Sequence, residues 1–248
     1  MMPDENTPAA EHADRSTLRL NSHDLRTTEE IFSRAYTKTS VTAVGGERPS
    51  ARIERRRFGP VDLDELQVSS HLAYDAAPLH RVCIAQVRAG RIEEDFAGAD
   101  REVLIPGDVT LFCDPELPYS AQLWSADYDL TIFDVDLLGR VAGRTDEPVR
   151  LLGHRPVSPG AELHLAAAVD YVRTLAQGPP PSRLVASTSA AMLAAAVLSA
   201  FPAARPPHRS RRRITPMTGR RCCAGPSPLS RPIRILRSRC PTSPTSCT

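Results

Sequence analysis

The sequence predicts a mainly β fold, in which an antiparallel barrel is followed by two α-helices and a disordered basic tail. Short segments of alternating apolar and polar residues run from about Ser40 to Val149, and turn residues separate them. Two apolar patterns of helical period follow, and all periodicity stops after Phe201. Evenly spaced strands with such turns are typical of a β-sandwich or barrel rather than of alternating β and α units.

The first 26 residues are polar, contain proline and have no periodicity, so we expect residues 1–26 to be disordered. A short helix is predicted in TTEEIFSRAY (27–36), where Thr27 and Glu30 have the spacing of a capping box. The acidic, polar start of the chain is unlike a secretory signal, and no apolar run has the length of a membrane span. These features predict a cytoplasmic protein.

The helix and the barrel together form a predicted domain over residues 27–149. Its turns are marked by Gly-Pro, Ala-Gly, Pro-Gly-Asp and the prolines of Asp-Pro-Glu-Leu-Pro. Strands are predicted in ARIERRRFGPVDLDELQVS, RVCIAQVRAGRIEEDF, REVLIPGDVTLFC, SAQLWSA and YDLTIFDVDLL. We expect the barrel to be closed or nearly closed.

Residues 150–201 are predicted to be helical. The first helix has Ser158 as its N-cap, proline at the next position and Gly178 as its end. Its apolar face is predicted to contain Leu163, Ala166, Val169, Val172 and Leu175. The second helix, SRLVASTSAAMLAAAVLSAF (182–201), is apolar nearly all round. It is therefore expected to be buried, either against its own barrel or against a partner.

The tail, residues 202–248, differs sharply in charge from the rest of the chain. From Phe201 onward there are 11 arginines and no acidic residue, while the first 200 residues carry 20 basic and 29 acidic residues, a net charge of −9. Proline recurs throughout the tail, and its four cysteines lack the C-x-x-C pairs of zinc sites. We expect this tail to be disordered.

No pattern of catalytic residues stands out in the chain. The seven histidines never form H-x-H or H-E-x-x-H, and there is no glycine-rich phosphate loop and no G-x-S-x-G motif. The sequence therefore predicts that the protein is not an enzyme and has no metal site and no cofactor.

One stretch, VRAGRIEEDFAGADREVLIPGDVTLFCDPELPYSAQLWSADYDLTIFDVD, has the layout of a cupin-like (jelly-roll) barrel, with a tight turn at Pro-Gly-Asp. With EEIFSRAY, RRRFGPVDLDEL and the two later helices, residues 27–200 resemble the sensory N-terminal domain of AraC-family transcription regulators of the actinobacterial type. Catalytic cupins carry clustered histidines and carboxylates, whereas the residues after the turn here are VTLFC.

The resemblance implies a barrel that binds a small-molecule effector and helices that form a homodimer. In such regulators a C-terminal pair of helix-turn-helix units reads DNA, and no such pair is recognisable here, so no specific DNA binding is expected. Ligand pockets of small barrels lie within the barrel or at its mouth. His80, Phe112 and Trp124 are the candidate ligand-binding residues.

The tail has an explanation in the reading frame of the gene. If each codon is read from its third base, PTSPTSCT permits Asp-Ile-Ala-Asp-Ile-Val-His, and the same shift along RCCAGPSPLS and PIRILRSR permits an amphipathic helix and a loop. This is similar to the start of an AraC-type DNA-binding domain. The tail is thus interpreted as a frameshift product that truncates the regulator.

Two other functions remain open at this stage. The barrel can be a stand-alone cupin-like protein that binds or transforms a small molecule. Alternatively, the arginine tail can hold nucleic acid through phosphate contacts, although no Phe, Tyr or Trp follows Phe201 to stack on bases.

Overall fold

The computed structural model describes residues 17–46, 48–95, 101–144 and 149–204. Their sheet has nine antiparallel strands in the order β1-β3-β4-β9-β5-β2, and β6 pairs with β7, β8 and β9. The strands are β1 (Thr17–Ser22), β2 (Thr39–Ala43), β3 (Ala51–Phe58), β4 (Val61–Val68), β5 (His71–Ala76), β6 (Arg81–Asp95), β7 (Glu102–Leu104), β8 (Val109–Leu111) and β9 (Tyr119–Asp134). The helices are α1 (Leu25–Ala35), α2 (Val135–Val141), α3 (Pro159–Gln177) and α4 (Arg183–Ala200).

The sheet curls into a half-barrel, which confirms the predicted cupin-like class followed by helices. The longest strands, β6 and β9, pair along nearly their whole length, and the other edge of β9 pairs first with β5 and then with β4. Strands β1 and β2 lie at the two ends of the strand order. The sheet is therefore open between them in the described residues, and the barrel is less closed than the sequence predicted.

The two faces of the sheet have separate hydrophobic cores because side chains alternate along each strand. On β6, Cys83, Ala85 and Val87 belong to the barrel interior together with the apolar side of α1. Val82 and Ile84, on the opposite face, belong to a second core that the three later helices cover. This second core contains most of the buried side chains of α3 and α4.

The helix ends follow from local hydrogen bonds, and α3 begins as predicted. The Ser158 hydroxyl accepts the Ala161 N–H at 3.2 Å, and the helix ends before Gly178. The predicted face of α3 needs correction, since Leu163 is 68% exposed. Val169 and Val172 of the predicted face are buried, and the other buried residues of α3 are Leu165 and Ala168.

Several predicted boundaries at the N-terminal side were wrong. Residues 17–26 are ordered, because β1 pairs with β3 and α1 begins at Leu25. The cap of α1 is Asp24, whose carboxylate accepts the Thr27 N–H at 2.9 Å, so Thr27 is not the cap. Residues 1–16 and the tail from residue 205 lie outside the described residues, so the predictions of disorder there stay predictions.

Helix α4 is long and apolar enough to be a membrane span by length and composition alone. Its buried side chains, however, pack in the second core of the domain, as those of a soluble core helix do. An exposed stripe remains on its other side, formed by Leu184, Thr188, Met192, Ala195 and Ser199. These residues are three or four positions apart and therefore share one helix face.

Candidate functional site

The barrel interior is lined mainly by aromatic rings from α1, the strands and the loop after β8. The ring of Phe112 lies 6.1 Å from Tyr119 and 6.1 Å from Tyr128, and Phe32 of α1 lies 6.1 Å from Tyr74. The aromatic lining residues are Phe32, Tyr36, Tyr74, Phe112, Tyr119 and Tyr128. Three leucines, Thr39 and Cys83 complete the walls, so none of the described lining residues is charged.

The empty space inside this lining is small, about 20 Å³. This volume has room for about one water molecule, whereas sites for small-molecule ligands have at least about 300 Å³. Helix α1 forms one wall through Phe32 and Tyr36. The interior is therefore closed, and a ligand enters it only if part of the lining moves.

Three of the four tyrosines of the lining have unpaired hydroxyls in the described part of the chain. Within the described residues, the hydroxyls of Tyr74, Tyr119 and Tyr128 take part in no hydrogen bond. Burial raises the pKa of all three hydroxyls, so they stay neutral and act as hydrogen-bond donors. A ligand that carries hydrogen-bond acceptors can therefore bind to these hydroxyls.

The fourth tyrosine is anchored in a network of charged groups. The Tyr36 hydroxyl donates to Asp64 Oδ2 at 2.7 Å, and Arg55 binds both oxygens of that carboxylate at 2.7 Å. Arg55 also donates to the backbone carbonyl of Ala35, at the end of α1. The interior end of α1 is thus tied to β3 and β4 by fully or partly buried hydrogen bonds.

The same region contacts the helical layer through Arg173 of α3. Its guanidinium donates to the backbone carbonyls of Asp64 and Leu130, both at 3.0 Å. Its other terminal nitrogen lies 3.6 Å from Asp129, whose pKa burial raises. Arg173 therefore joins α3 to neighbouring residues of β4 and β9.

A second cluster of ionisable groups lies where β6 and β7 meet the segment before α3. His154 contacts Glu94 through Nδ1 at 2.8 Å and Glu102 through Nε2, and Arg155 also binds Glu102. The two carboxylates thus use different ring nitrogens, so they do not converge with the ring on one point. Among residues 17–46, 48–95, 101–144 and 149–204, no group of three or more His, Cys, Asp or Glu could hold a metal ion.

The three candidate ligand-binding residues lie in three different places. Phe112 lines the interior cavity. His80 lies outside it, with φ at 55°, its N–H bonded to the Pro115 carbonyl and its ring 3.7 Å from Glu116. Trp124 lies on the outer face of the sheet, with His71 stacked at 4.4 Å and the Arg91 guanidinium 4.1 Å from its ring centre.

Sequence reasoning missed the interior tyrosines. The available signal was their alternation with polar residues, since Tyr74 follows Ala73 and precedes Asp75 on a strand with alternating burial. That alternation shows which residues share a face but not which face is inside. The pairing of β9 with β4, β5 and β6 is what brings Tyr74, Tyr119 and Tyr128 together.

Comparison with known proteins shows which protein family this domain resembles. The family model of the AraC-binding-like domain matches residues 28–199. The crystal structure of the AraC-like transcriptional activator CuxR is similar in fold, with a TM-score of 0.54 and 18% sequence identity, covering 78% of this chain and 73% of that chain. A comparison with curated proteins gives no significant match.

Two cupin structures are more distant. A cupin domain of an XRE family transcriptional regulator from Enterobacter cloacae is 13% identical, with a TM-score of 0.27, over 38% of this chain and 95% of that chain. An RmlC-like cupin from Shewanella frigidimarina is 17% identical, with a TM-score of 0.29, over 39% and 83%. The family match covers more than half of the residues, and the chain therefore belongs to the AraC-binding-like domain family.

Proposed function

We propose that this protein is the effector-sensing and dimerisation module of an AraC-type transcription regulator of the actinobacterial type, and that it works in the cytoplasm. The effector is a neutral small molecule with hydrogen-bond acceptors, and it binds in the barrel interior. The observation that carries this proposal is the set of unpaired hydroxyls of Tyr74, Tyr119 and Tyr128 in an uncharged aromatic cavity.

The same lining supports sensing rather than catalysis. Acid–base chemistry needs a titratable group that reaches the substrate. The Asp64 carboxylate, which reaches the lining through Tyr36, is already bound at both oxygens by Arg55. The described residues of the lining include no carboxylate and no histidine, so their side chains support binding and hydrogen-bond donation.

The effector test uses the full chain and a matched pair of tyrosine variants. The probes are coumarin, benzamide and cyclohexanone, which are neutral molecules with a carbonyl acceptor, and binding is followed by the amide NMR signals of interior residues. Tyr128→Phe keeps the ring and removes one donor, so we expect binding to weaken about 5-fold and stability to stay within about 0.5 kcal/mol.

The matched variant is Tyr36→Phe, which removes a hydroxyl that is bonded to Asp64. We expect it to destabilise the fold by about 1–2 kcal/mol, because the buried carboxylate loses a donor. If no probe shifts interior signals, or if Tyr128→Phe binds each probe as well as the parent protein, the proposed effector site is wrong.

The dimer is proposed to form through the exposed stripe of α4. Leu184 is 75% exposed and Met192 is 40% exposed, and the rest of the stripe is small or polar, which lets two helices approach closely. Analytical ultracentrifugation of the full chain at micromolar concentration is expected to show a dimer. Leu184→Glu should raise its dissociation constant at least about tenfold, whereas Leu163→Glu on α3 should not. A monomeric parent protein contradicts this interface.

The DNA-binding part is proposed to be absent because of a frameshift after about Phe201. The charge change in the tail and the shifted reading of its codons support this. DNA affinity is then purely electrostatic and is lost between about 50 and 200 mM salt. The nucleotide sequence decides the question, since the alternative frame must continue into two helix-turn-helix units. A frame that does not continue in this way contradicts the proposal.

A further inference from the structure

A second cavity, of about 280 Å³, lies on the other side of the sheet from the barrel interior. It is bounded by β6, by the loop after β8, by α2 and by residues 149–151. Its apolar walls include Val82, Leu138 and Leu151, which all belong to the second hydrophobic core. The empty space of this cavity approaches that of ordinary small-molecule sites, whereas the interior cavity has only about 20 Å³.

A buried carboxylate faces this apolar space. The side chain of Asp114 is only 7% exposed, and its Oδ1 accepts the Glu116 N–H at 2.9 Å. In the part of the chain that the structure describes, Oδ2 accepts no hydrogen bond. Among the described residues, the cation that contacts it is Arg150, whose Nη2 is 3.9 Å away and whose side chain is 64% exposed to water.

An ionised carboxylate in an apolar cavity is stabilised mainly by charge-assisted hydrogen bonds. The exposed Arg150 is too far away to donate one, so among the described residues Asp114 Oδ2 is left free to accept a hydrogen bond from a ligand. A second carboxylate, that of Glu116, also lines the cavity and is 70% exposed. Of the described lining residues, two therefore carry a carboxylate and one carries an exposed guanidinium.

We propose that this cavity is a second ligand site, separate from the barrel interior, for an apolar molecule that carries a protonated amine. The ammonium group donates to Asp114 Oδ2, and the apolar body lies between Val82 and Leu138. Residues 149–151 form one wall of the site, and the bridge between Leu151 and Ala203 links this wall to the chain just after α4. An occupant therefore contacts both the sheet and a segment that is attached to the helical layer.

The test compares three molecules of nearly the same shape and different charge. Phenylpropylamine is the proposed type of ligand, phenylpropanol is its neutral analogue, and phenylpropionate is its anionic analogue. Binding to the full chain is followed by NMR signals of Val82, Leu138 and Leu151. We expect the amine to bind with a dissociation constant on the order of 1 mM, the alcohol about tenfold more weakly and the carboxylate weakest.

Variants then assign the binding to the cavity. Asp114→Asn keeps the acceptor for Glu116 N–H and removes the charge, so it should weaken amine binding about tenfold and leave the alcohol unchanged. Asp75→Asn, on the exposed side of β5, is the matched control and should change neither. Val135→Trp, at the half-buried rim, should block all three probes.

The order in which the parent protein binds the three probes shows which ligand charge the cavity prefers, even if a variant fails to fold. Equal or tighter binding of phenylpropionate overturns the proposed amine class. Signals that shift at Phe112 or Tyr128 rather than at Val82 and Leu138 overturn the site. Unchanged amine affinity in a folded Asp114→Asn protein overturns the role of the carboxylate.

Discussion

Replacing Glu94 by glutamine should make the protein more stable at about pH 8 but not at about pH 5. Glu94 lies on β6 with 3% of its surface exposed, and burial raises its pKa to about 7. Its Oε1 is bonded to His154 Nδ1, while its Oε2 is buried without a hydrogen-bond partner in the described residues. Ionising this carboxyl therefore leaves a poorly compensated buried charge.

The direction in which stability changes with pH follows from the number of protons bound by the folded and the unfolded chain. Between its unfolded pKa of 4.5 and its folded pKa of about 7, Glu94 binds more protons when folded, so stability falls as the pH rises through this range. Burial opposes the charging of His154, but the hydrogen bond and charge of Glu94 and the charge of Glu102 outweigh it and raise the His154 pKa above 6.5. The stability from His154 is therefore also lost as the pH rises through its folded pKa.

The size of the effect follows from the shift in the Glu94 pKa. A change from 4.5 to about 7 corresponds to a cost of about 3 kcal/mol above neutral pH, at about 1.4 kcal/mol for each unit. While it is charged, His154 offsets part of this free-energy cost through its interaction with Glu94. Glutamine keeps the acceptor for His154 Nδ1–H and cannot ionise, so we expect a gain of about 1–2 kcal/mol at about pH 8 and none at about pH 5.

Urea unfolding of both proteins at four pH values between about 5 and 8 measures this difference. With a slope of about 2 kcal/mol per molar urea, the midpoint should shift upward by about 0.5–1 M at the highest pH. Glu93→Gln is the matched control, because Glu93 is the neighbouring residue on the outer face, bound to Arg91. A Glu94→Gln effect that does not grow between about pH 5 and pH 8 refutes the reasoning.

Two further substitutions test the packing around the site. Arg173→Met removes the donor that binds one backbone carbonyl of β4 and one of β9, so urea unfolding should show that the free energy of unfolding falls by about 2–4 kcal/mol. The control is Arg183→Met at an exposed position, and a loss for Arg173→Met that is no larger than the control's contradicts this. In Gly90→Ala, the new Cβ would lie 2.2 Å from the Ser125 carbonyl oxygen, at a φ of +76°. The control is Gly107→Ala, where φ is +100° but the Cβ meets open space. The Gly90→Ala protein should therefore melt at a clearly lower temperature than the Gly107→Ala protein, and equal losses contradict this.

The pattern of alternating residues was sufficient to predict most strands and both long helices, because local periodicity determines them. It failed at α2, where VDLL continues the strand pattern of YDLTIFD. The reason is a cap: the Asp134 carboxylate accepts the Asp136 N–H at 2.8 Å and starts a helix. It also divided β9 into two strands at Asp127, whereas β9 is continuous there and passes through Ser125 with φ at 43°, opposite the irregular part of β6.

The candidate site was harder to predict because it depends on contacts between distant segments. Phe112, predicted to bind a ligand, lines the cavity, and the other aromatic residues of the lining come from β5, β9 and α1 with its C-terminal end. Which of the two faces of each strand is interior depends on where the helices pack, and periodicity does not contain that information. Unpaired hydroxyls, such as that of Tyr128, are visible only when all possible partners have been placed.

Asp64 is the residue at which the barrel interior and the helical layer meet. Its carboxylate holds Tyr36, which lines the interior cavity, and its backbone carbonyl holds Arg173 of α3. A ligand that displaces Tyr36 removes a donor from this carboxylate and leaves Arg55 as its main partner. Arg173 joins β4 to α3 directly through this carbonyl, so an interior ligand that shifts β4 should also shift α3. We therefore expect the position of α3 relative to the sheet to differ between the free and the ligand-bound protein.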